Sequence, residues 1–196
     1  LLYQDKDYKQ EVDYVAGLLA ENGVKSGAIL ELGSGTGKHA EEFARKRFSV
    51  NGVDLSPVMV KEANQRKKDI FANLLHFNVG DVRTYRVEKK FDAVISLFHV
   101  MSYQTQNEDI IAMFETAARH LKTGGVFIFD YWNGSGVLTN PPEIRIKRLE
   151  NEKIEVLRIA EPEMHSNENV VYVNYSVQVK SKLTDGGGDD RTKGTT

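Results

Sequence analysis

Apolar residues recur along this chain in two rhythms. Up to about residue 130, short and nearly continuous apolar runs alternate with segments whose apolar positions follow helical spacing. Five runs predict buried strands: Ala28–Leu32, Ser49–Asp54, Leu74–Val79, Phe91–Leu97 and Val126–Asp130. Between them the spacing predicts helices. The first spans Tyr3–Asn22, with Val12, Val15, Ala16 and Leu19 inward and Gly23 as its stop. The second covers His39–Arg47. The third starts at Pro57, is capped by Ser56 and runs to about Lys68. The fourth covers Asn107–Leu121, with Asn107 as cap, Ile110, Ile111, Phe114 and Ala118 inward, and Lys122-Thr123-Gly124-Gly125 as its end. Strands alternating with helices predict a doubly wound α/β domain with a mostly parallel sheet.

From about residue 143 the rhythm becomes two. After the Gly- and Pro-rich stretch Asn133–Pro142 come Glu143–Glu150, Lys153–Glu161 and Val170–Lys182. The last alternates Val171, Val173, Tyr175, Val177 and Val179 on one face, as a half-buried antiparallel strand does. Asn151-Glu152 and Ser166–Asn169 read as turns. These segments form a β-meander over residues 143–182. It either caps the site, or completes a core or pairs with a second copy in a homodimer. Residues 186–196 carry almost no apolar side chain and read as a disordered tail. The domain reading is one domain over 1–185, with a cofactor-binding core over 1–132.

Candidate chemistry concentrates in Ala28–Ala40, AILELGSGTGKHA. A buried strand ends in an acid, Glu31, and runs into Gly33, Gly35 and Gly37 before a helix start. Such a turn lets a ligand approach bare backbone, and the helix end adds unpaired N–H groups. A phosphate loop needs Gly five residues before Gly-Lys-Ser/Thr. Here Leu32 occupies that position and His39 follows Lys38, so this reading fails. A dinucleotide fingerprint can be drawn through Gly35, Gly37 and Ala40. Glu31 argues against it, because a carboxylate sits badly beside a pyrophosphate and well beside a cation. Asp54 ends the second strand about twenty residues beyond the loop, where a nucleotide-type fold places an acid for ribose hydroxyls. Asp81, after Gly80 at the third strand's end, suits an adenine amino group, with Val82 as an apolar neighbour.

Composition narrows the classes further. The 196 residues are 40% hydrophobic and 28% charged, with a net charge of −2. That balance is ordinary for a globular domain and offers no basic field for nucleic acid. No apolar run approaches the ~20 residues of a membrane span. There is no cysteine, hence no disulfide and no thiolate chemistry. The expected location is cytoplasmic, and no metal set is expected.

The segments LELGSGTGKH, GVDLSPVMV, GDVRTY, FDAVISLFHVMSY and LKTGGVFIFDYW, in this order and spacing, resemble the class I S-adenosylmethionine-dependent methyltransferases. Within that class the chain is most similar to the amino-sugar N,N-dimethyltransferases that act on nucleotide-linked deoxysugars. KDY near the N-terminus, the GTG-x-H loop, Tyr103 and the aromatic pair Tyr131-Trp132 carry that likeness. The resemblance implies a Rossmann-like fold, S-adenosyl-L-methionine as cofactor and a small-molecule acceptor. It implies a cofactor set of Glu31, Gly33, Ser34, Gly35, Gly37, Asp54, Leu55, Asp81, Val82 and Leu97. His99 becomes the candidate base or acceptor-orienting group. Tyr103, Tyr131 and Trp132 become an aromatic wall, and Phe98 flanks the cofactor. Family members continue past the meander into two more strands, so the last core strands are expected to be missing here. The competing readings are an NAD-dependent oxidoreductase and a catalytically inactive or truncated cofactor-binding protein.

Overall fold

The computed structural model describes residues 6–67 and 71–182, together with the strand residues Lys193–Gly194. The chain divides into two compact units, one of residues 7–131 and one from Trp132 onward.

The first unit is a five-stranded parallel sheet in the order β3-β2-β1-β4-β5. Its strands are β1 (Gly27–Leu32), β2 (Phe48–Asp54), β3 (Leu75–Val79), β4 (Phe91–Ser96) and β5 (Leu121–Phe129). Neighbouring residues of β1 point to opposite faces, and both faces are covered. Ile29 joins the side packed by α1 (Tyr8–Glu21), α2 (Lys38–Arg45) and α3 (Pro57–Arg66). Leu30 joins the side packed by Met113 and Ala117 of α4 (Asn107–His120). A strand buried on both faces needs a continuous apolar run, which is why these strands are visible in sequence. The strand order reverses between β1 and β4. Ligand crevices of open parallel sheets form at such a switch point, beyond the strand C-termini. Glu31, Asp54 and His99 all come from that end of the sheet.

Several expectations are corrected in detail. The expected fourth-helix stop, Lys122–Gly125, lies inside β5 as an irregularity in its pairing with β4. Leu121 already pairs with Phe91, and regular register resumes at Ala93–Val126. The buried face of α4 is Met113, Thr116, Ala117 and His120, whereas Ile111 and Phe114 are exposed. Phe114 instead sets its ring edge-on against Phe127 and Phe129 of β5. Asn107 is the first helical residue, and Gln106 stands at the cap position without a side-chain cap bond. Ser56 does cap α3, accepting from the Met59 N–H at 3.3 Å. Gly23, at φ +85°, follows α1 as expected. The first three residues of the expected first helix lie outside the described residues, as does Lys68.

The second unit holds the short helix α5 (Gly134–Thr139) and an antiparallel sheet. Its long strands are β6 (Arg145–Glu150), β7 (Ile154–His165) and β8 (Val170–Ser181). A two-residue strand, β9 (Lys193–Gly194), pairs with Tyr175 and Ser176. The Asn151 carboxamide oxygen accepts from the Lys153 and Ile154 N–H groups, both at 2.9 Å, and makes the β6–β7 turn. Apart from β9, the expected tail lies outside the described residues. Among the described residues no strand pairs with the outer edge of β5, and no helix is long and apolar enough to cross a membrane.

Candidate active site

The loop after β1 is anchored first by backbone. The Gly33 and Ser34 N–H groups both donate to the Val53 carbonyl, at 2.8 and 2.9 Å, which fixes the loop on β2. Gly33, Gly35 and Gly37 have φ of +82°, +51° and +74°. A side chain at any of them would be strained. The three glycines differ in what lies above them. A Cβ at Gly33 would meet the Val100 side chain at 2.4 Å, and one at Gly37 would meet the Phe77 ring at 2.6 Å. These two glycines admit protein neighbours. At Gly35 nothing among the described residues lies within 4 Å of that position. Of the three, only Gly35 has open space among the described residues on the side where a Cβ would stand.

Glu31 closes β1 and is buried to 1% exposure. Its Oε2 has no hydrogen-bond partner among the described residues, and the buried Ser34 Oγ has none either. Burial, reinforced by the nearby Asp54 carboxylate, pushes the Glu31 carboxyl up to about 8. An acid this buried stays neutral near pH 7 unless a cation joins it. The imidazole of His39, on α2, approaches it, with Nδ1 3.8 Å from Glu31 Oε1.

Asp54, at the tip of β2, spans two segments. Oδ2 accepts from the Gly35 N–H at 2.8 Å and Oδ1 from the Ser56 N–H at 2.9 Å. It thereby shapes both the glycine loop and the start of α3. Each carboxylate oxygen has capacity for a further donor. Leu55 beside it is exposed, whereas Val82 and Leu97 are buried. Asp81 stands past the tip of β3. Its carboxylate is gripped by the Arg83 guanidinium, which also reaches Asp109 at 2.8 Å. That pairing holds the Asp81 carboxyl below the usual carboxylate range.

The tip of β4 is constructed differently. Phe98 and His99 have φ of +69° and +63°, which residues with side chains rarely adopt. Asp130 compensates for them. Its Oδ2 accepts from the Phe98 N–H at 3.0 Å and its Oδ1 from the His99 N–H at 2.7 Å. His99 Nδ1 lies 3.8 Å from the same carboxylate. The Phe98 ring, 40% exposed, stacks tilted on His99. Val100–Tyr103 then forms one 3₁₀ turn, and Tyr103 is 73% exposed. Tyr131 is exposed, its ring 6.1 Å from Phe129.

These residues therefore stand at the tips of four strands, β1 to β4, within one unit. Trp132 begins the other unit, where it lines a cavity of about 280 Å³ with Asn140, Pro142 and Arg145. Sequence reasoning overlooked Asp130, Arg83 and His39 as site residues. Asp130 carried the same signal as the other acids, an acid ending an apolar strand. His39 showed only its place two residues after the last loop glycine. Among the described residues no cluster of His, Asp and Glu has a metal-binding arrangement.

Residues 29–125 match the model of a methyltransferase domain. A relative from Streptomyces venezuelae, dTDP-3-amino-3,4,6-trideoxy-alpha-D-glucopyranose N,N-dimethyltransferase, is 33% identical over 131 residues. The match covers 67% of this chain and 53% of that protein. The chain spans about half the length of the curated relatives it matches. The crystal structure of DesVI, also from Streptomyces venezuelae, superposes with a TM-score of 0.75 at 25% identity, covering 91% of this chain and 72% of that one. A sugar N-methyltransferase from Streptoalloteichus superposes with a TM-score of 0.79 at 22% identity, covering 92% and 70%; it bears on the fold alone.

Proposed function

Residues 29–125 belong to the methyltransferase-domain family, and from that premise we propose that this protein transfers a methyl group to a small-molecule acceptor. S-adenosyl-L-methionine is the cofactor. The observation that carries the reading is Glu31. A fully buried carboxyl group beside a second acid, its Oε2 without a hydrogen-bond partner among the described residues, calls for a cation. The methionine ammonium of this cofactor supplies one, and a pyrophosphate cofactor does not. Gly35, with open space over its backbone, lets the ligand come close.

Bound cofactor supplies a methyl group already activated by its sulfonium. The chain's own task is to position and desolvate. Glu31 holds the methionine end, with Gly33, Ser34, Gly35 and Gly37 forming the loop around it. Asp54 accepts from the ribose hydroxyls while keeping the loop in shape. Asp81 and Val82 stand at the adenine end, with Leu55 and Leu97 as apolar walls. Phe98, His99 and Tyr103 face the acceptor. His99 orients an acceptor amine, or takes its proton, so that it arrives neutral. Asp130 keeps His99 in its strained conformation. The acceptor we infer is the amine of a nucleotide-linked sugar, the substrate class printed in the name of the 33%-identical relative.

The first test is calorimetric titration with S-adenosylhomocysteine. We expect Asp54→Ala to weaken binding at least tenfold, about 1.4 kcal/mol; unchanged affinity removes the assignment. The second is mass spectrometry of a dTDP-linked amino sugar incubated with cofactor and protein. Methyl addition at nitrogen supports the acceptor. Cofactor binding without turnover on amines or hydroxyls would favour a cofactor-binding protein without catalysis.

A further inference from the structure

Asp54 ends β2 and Asp81 follows β3, yet the two acids are left with different capacities. A carboxylate offers about four acceptor positions, two on each oxygen. Asp54 uses one on each oxygen, for the Ser56 and Gly35 N–H groups, and keeps one on each. A pair of hydroxyls fits what remains. Asp81 is nearly saturated by a single residue, Arg83. Its Oδ1 accepts from the Arg83 backbone N–H and from Nε, both at 2.9 Å. Its Oδ2 accepts from Nη2 at 2.5 Å and shares the Nε–H at 3.1 Å. Oδ1 is therefore full, and Oδ2 has room for one more donor.

Arg83 is itself held from α4. Its Nη1 donates to Asp109 Oδ1, in the first turn of that helix, at 2.8 Å. Its carbonyl accepts from the hydroxyl of the buried Thr116, also at 2.8 Å. The side chains of Asp81, Arg83 and Asp109 are 24%, 40% and 29% exposed, so the pairs act through geometry more than through net stabilisation. A planar fork on a carboxylate fixes its rotation, which a single point charge does not. We propose that Arg83, anchored by Asp109, is a positioning residue that sets base selectivity, presenting one lone pair of Asp81 Oδ2 to the base and leaving no place for a second donor. This deepens the cofactor reading given above, in which Asp81 stands at the adenine end, and rests on it. The exocyclic amine of adenine donates one hydrogen to such an oxygen. Hypoxanthine carries a carbonyl oxygen at that position and meets the fixed carboxylate with like polarity. Its nearest donor, the ring N1–H, is offset by one atom, within reach only of a carboxylate free to rotate.

The experiment is calorimetric titration of the whole chain with S-adenosylhomocysteine and with S-inosylhomocysteine, which has a carbonyl in place of the purine amine. The readout is the ratio of the two affinities. The wild-type protein should prefer the adenosyl ligand by about thirtyfold, the worth of a hydrogen bond to a charged group. Arg83→Gln should bind the adenosyl ligand more weakly and the inosyl ligand no worse, so that the ratio falls toward one. Arg83→Lys restores the charge without the fork and should not restore the ratio. Asp109→Asn, which leaves the Asp81–Arg83 pair in place, should give a ratio between wild type and Arg83→Gln, and serves if the latter does not fold. A residue that merely supports the fold would weaken both ligands by the same factor. An unchanged ratio in variants that still bind therefore overturns the role of Arg83. A wild-type protein that binds both ligands equally overturns the placing of adenine at Asp81, and this inference with it. A wild-type protein that binds neither overturns the cofactor reading itself.

Discussion

The tips of β1 and β4 lie at the same end of one sheet and solve opposite problems. After β1 the chain turns through positive φ three times, each time at a glycine. Side chains are removed there, and what remains is backbone fixed to β2 and an acid hidden beneath it. After β4 the chain turns through positive φ twice, at Phe98 and His99. Side chains are retained there, and the strain is offset by a carboxylate from the neighbouring strand, Asp130. The difference separates two tasks. A glycine turn suits a place where ligand must touch backbone. A strained turn with side chains suits a place where groups must be presented to a second reactant.

The hidden acid should give the largest effect. The Glu31 carboxyl titrates at about 8 in the fold, against an ordinary value of 4.5. A carboxyl raised by folding binds its proton more tightly in the native state. Stability is therefore highest below pH 4.5 for this group, and falls as pH rises to about 8. Glu31→Gln should flatten that fall, by on the order of 5 kcal/mol across the window. Urea unfolding of ligand-free protein at several pH values measures it. A wild-type slope equal to that of the variant would mean that Glu31 is solvated or already paired.

Next comes Gly33→Ala. The added Cβ would meet Val100 in a backbone region that disfavours alanine. Overpacking and backbone strain together should cost about 3 kcal/mol in denaturant unfolding. The same change at Gly35 should cost less stability, because only strain applies there, and more ligand affinity. If the two variants unfold alike, the distinction between packed and bare glycines is lost.

Asp130→Ala should follow, at about 2 kcal/mol, since two backbone N–H groups lose their acceptor. Turnover should drop more than affinity for S-adenosylhomocysteine, because the cofactor loop is untouched. Parallel losses of both would merge the two tips into one unit. The smallest effect is expected for His99→Gly. Relief of strain should leave stability level or up by about 1 kcal/mol, while methyl transfer falls. Unaltered turnover would remove His99 as base or orienting group.

Much of the first unit was legible because its strands are buried on both faces, and such strands write themselves as apolar runs. The acids ending them were legible for the same reason: Glu31 and Asp54 interrupt patterns that are otherwise apolar. The bounds of β5 were not. Thr123-Gly124-Gly125 reads as a helix stop, and only its neighbour β4 shows that the chain is already in the sheet. The inner face of α4 was misjudged because its largest apolar residues, Ile111 and Phe114, face outward. Phe114 lies over the aromatic rings of the edge strand β5.

By itself the sequence determined the alternation of strands and helices, the positive-φ loop after β1, and the family to which residues 29–125 belong. Those are local properties, written in burial periodicity and in the backbone freedom of glycine. Tertiary structure alone decided which glycine faces open space, which base approaches the buried acid, and which carboxylate holds Phe98 and His99 in place. Each of those contacts joins residues far apart along the chain, and their partners are chosen by the packing of the sheet rather than by sequence spacing.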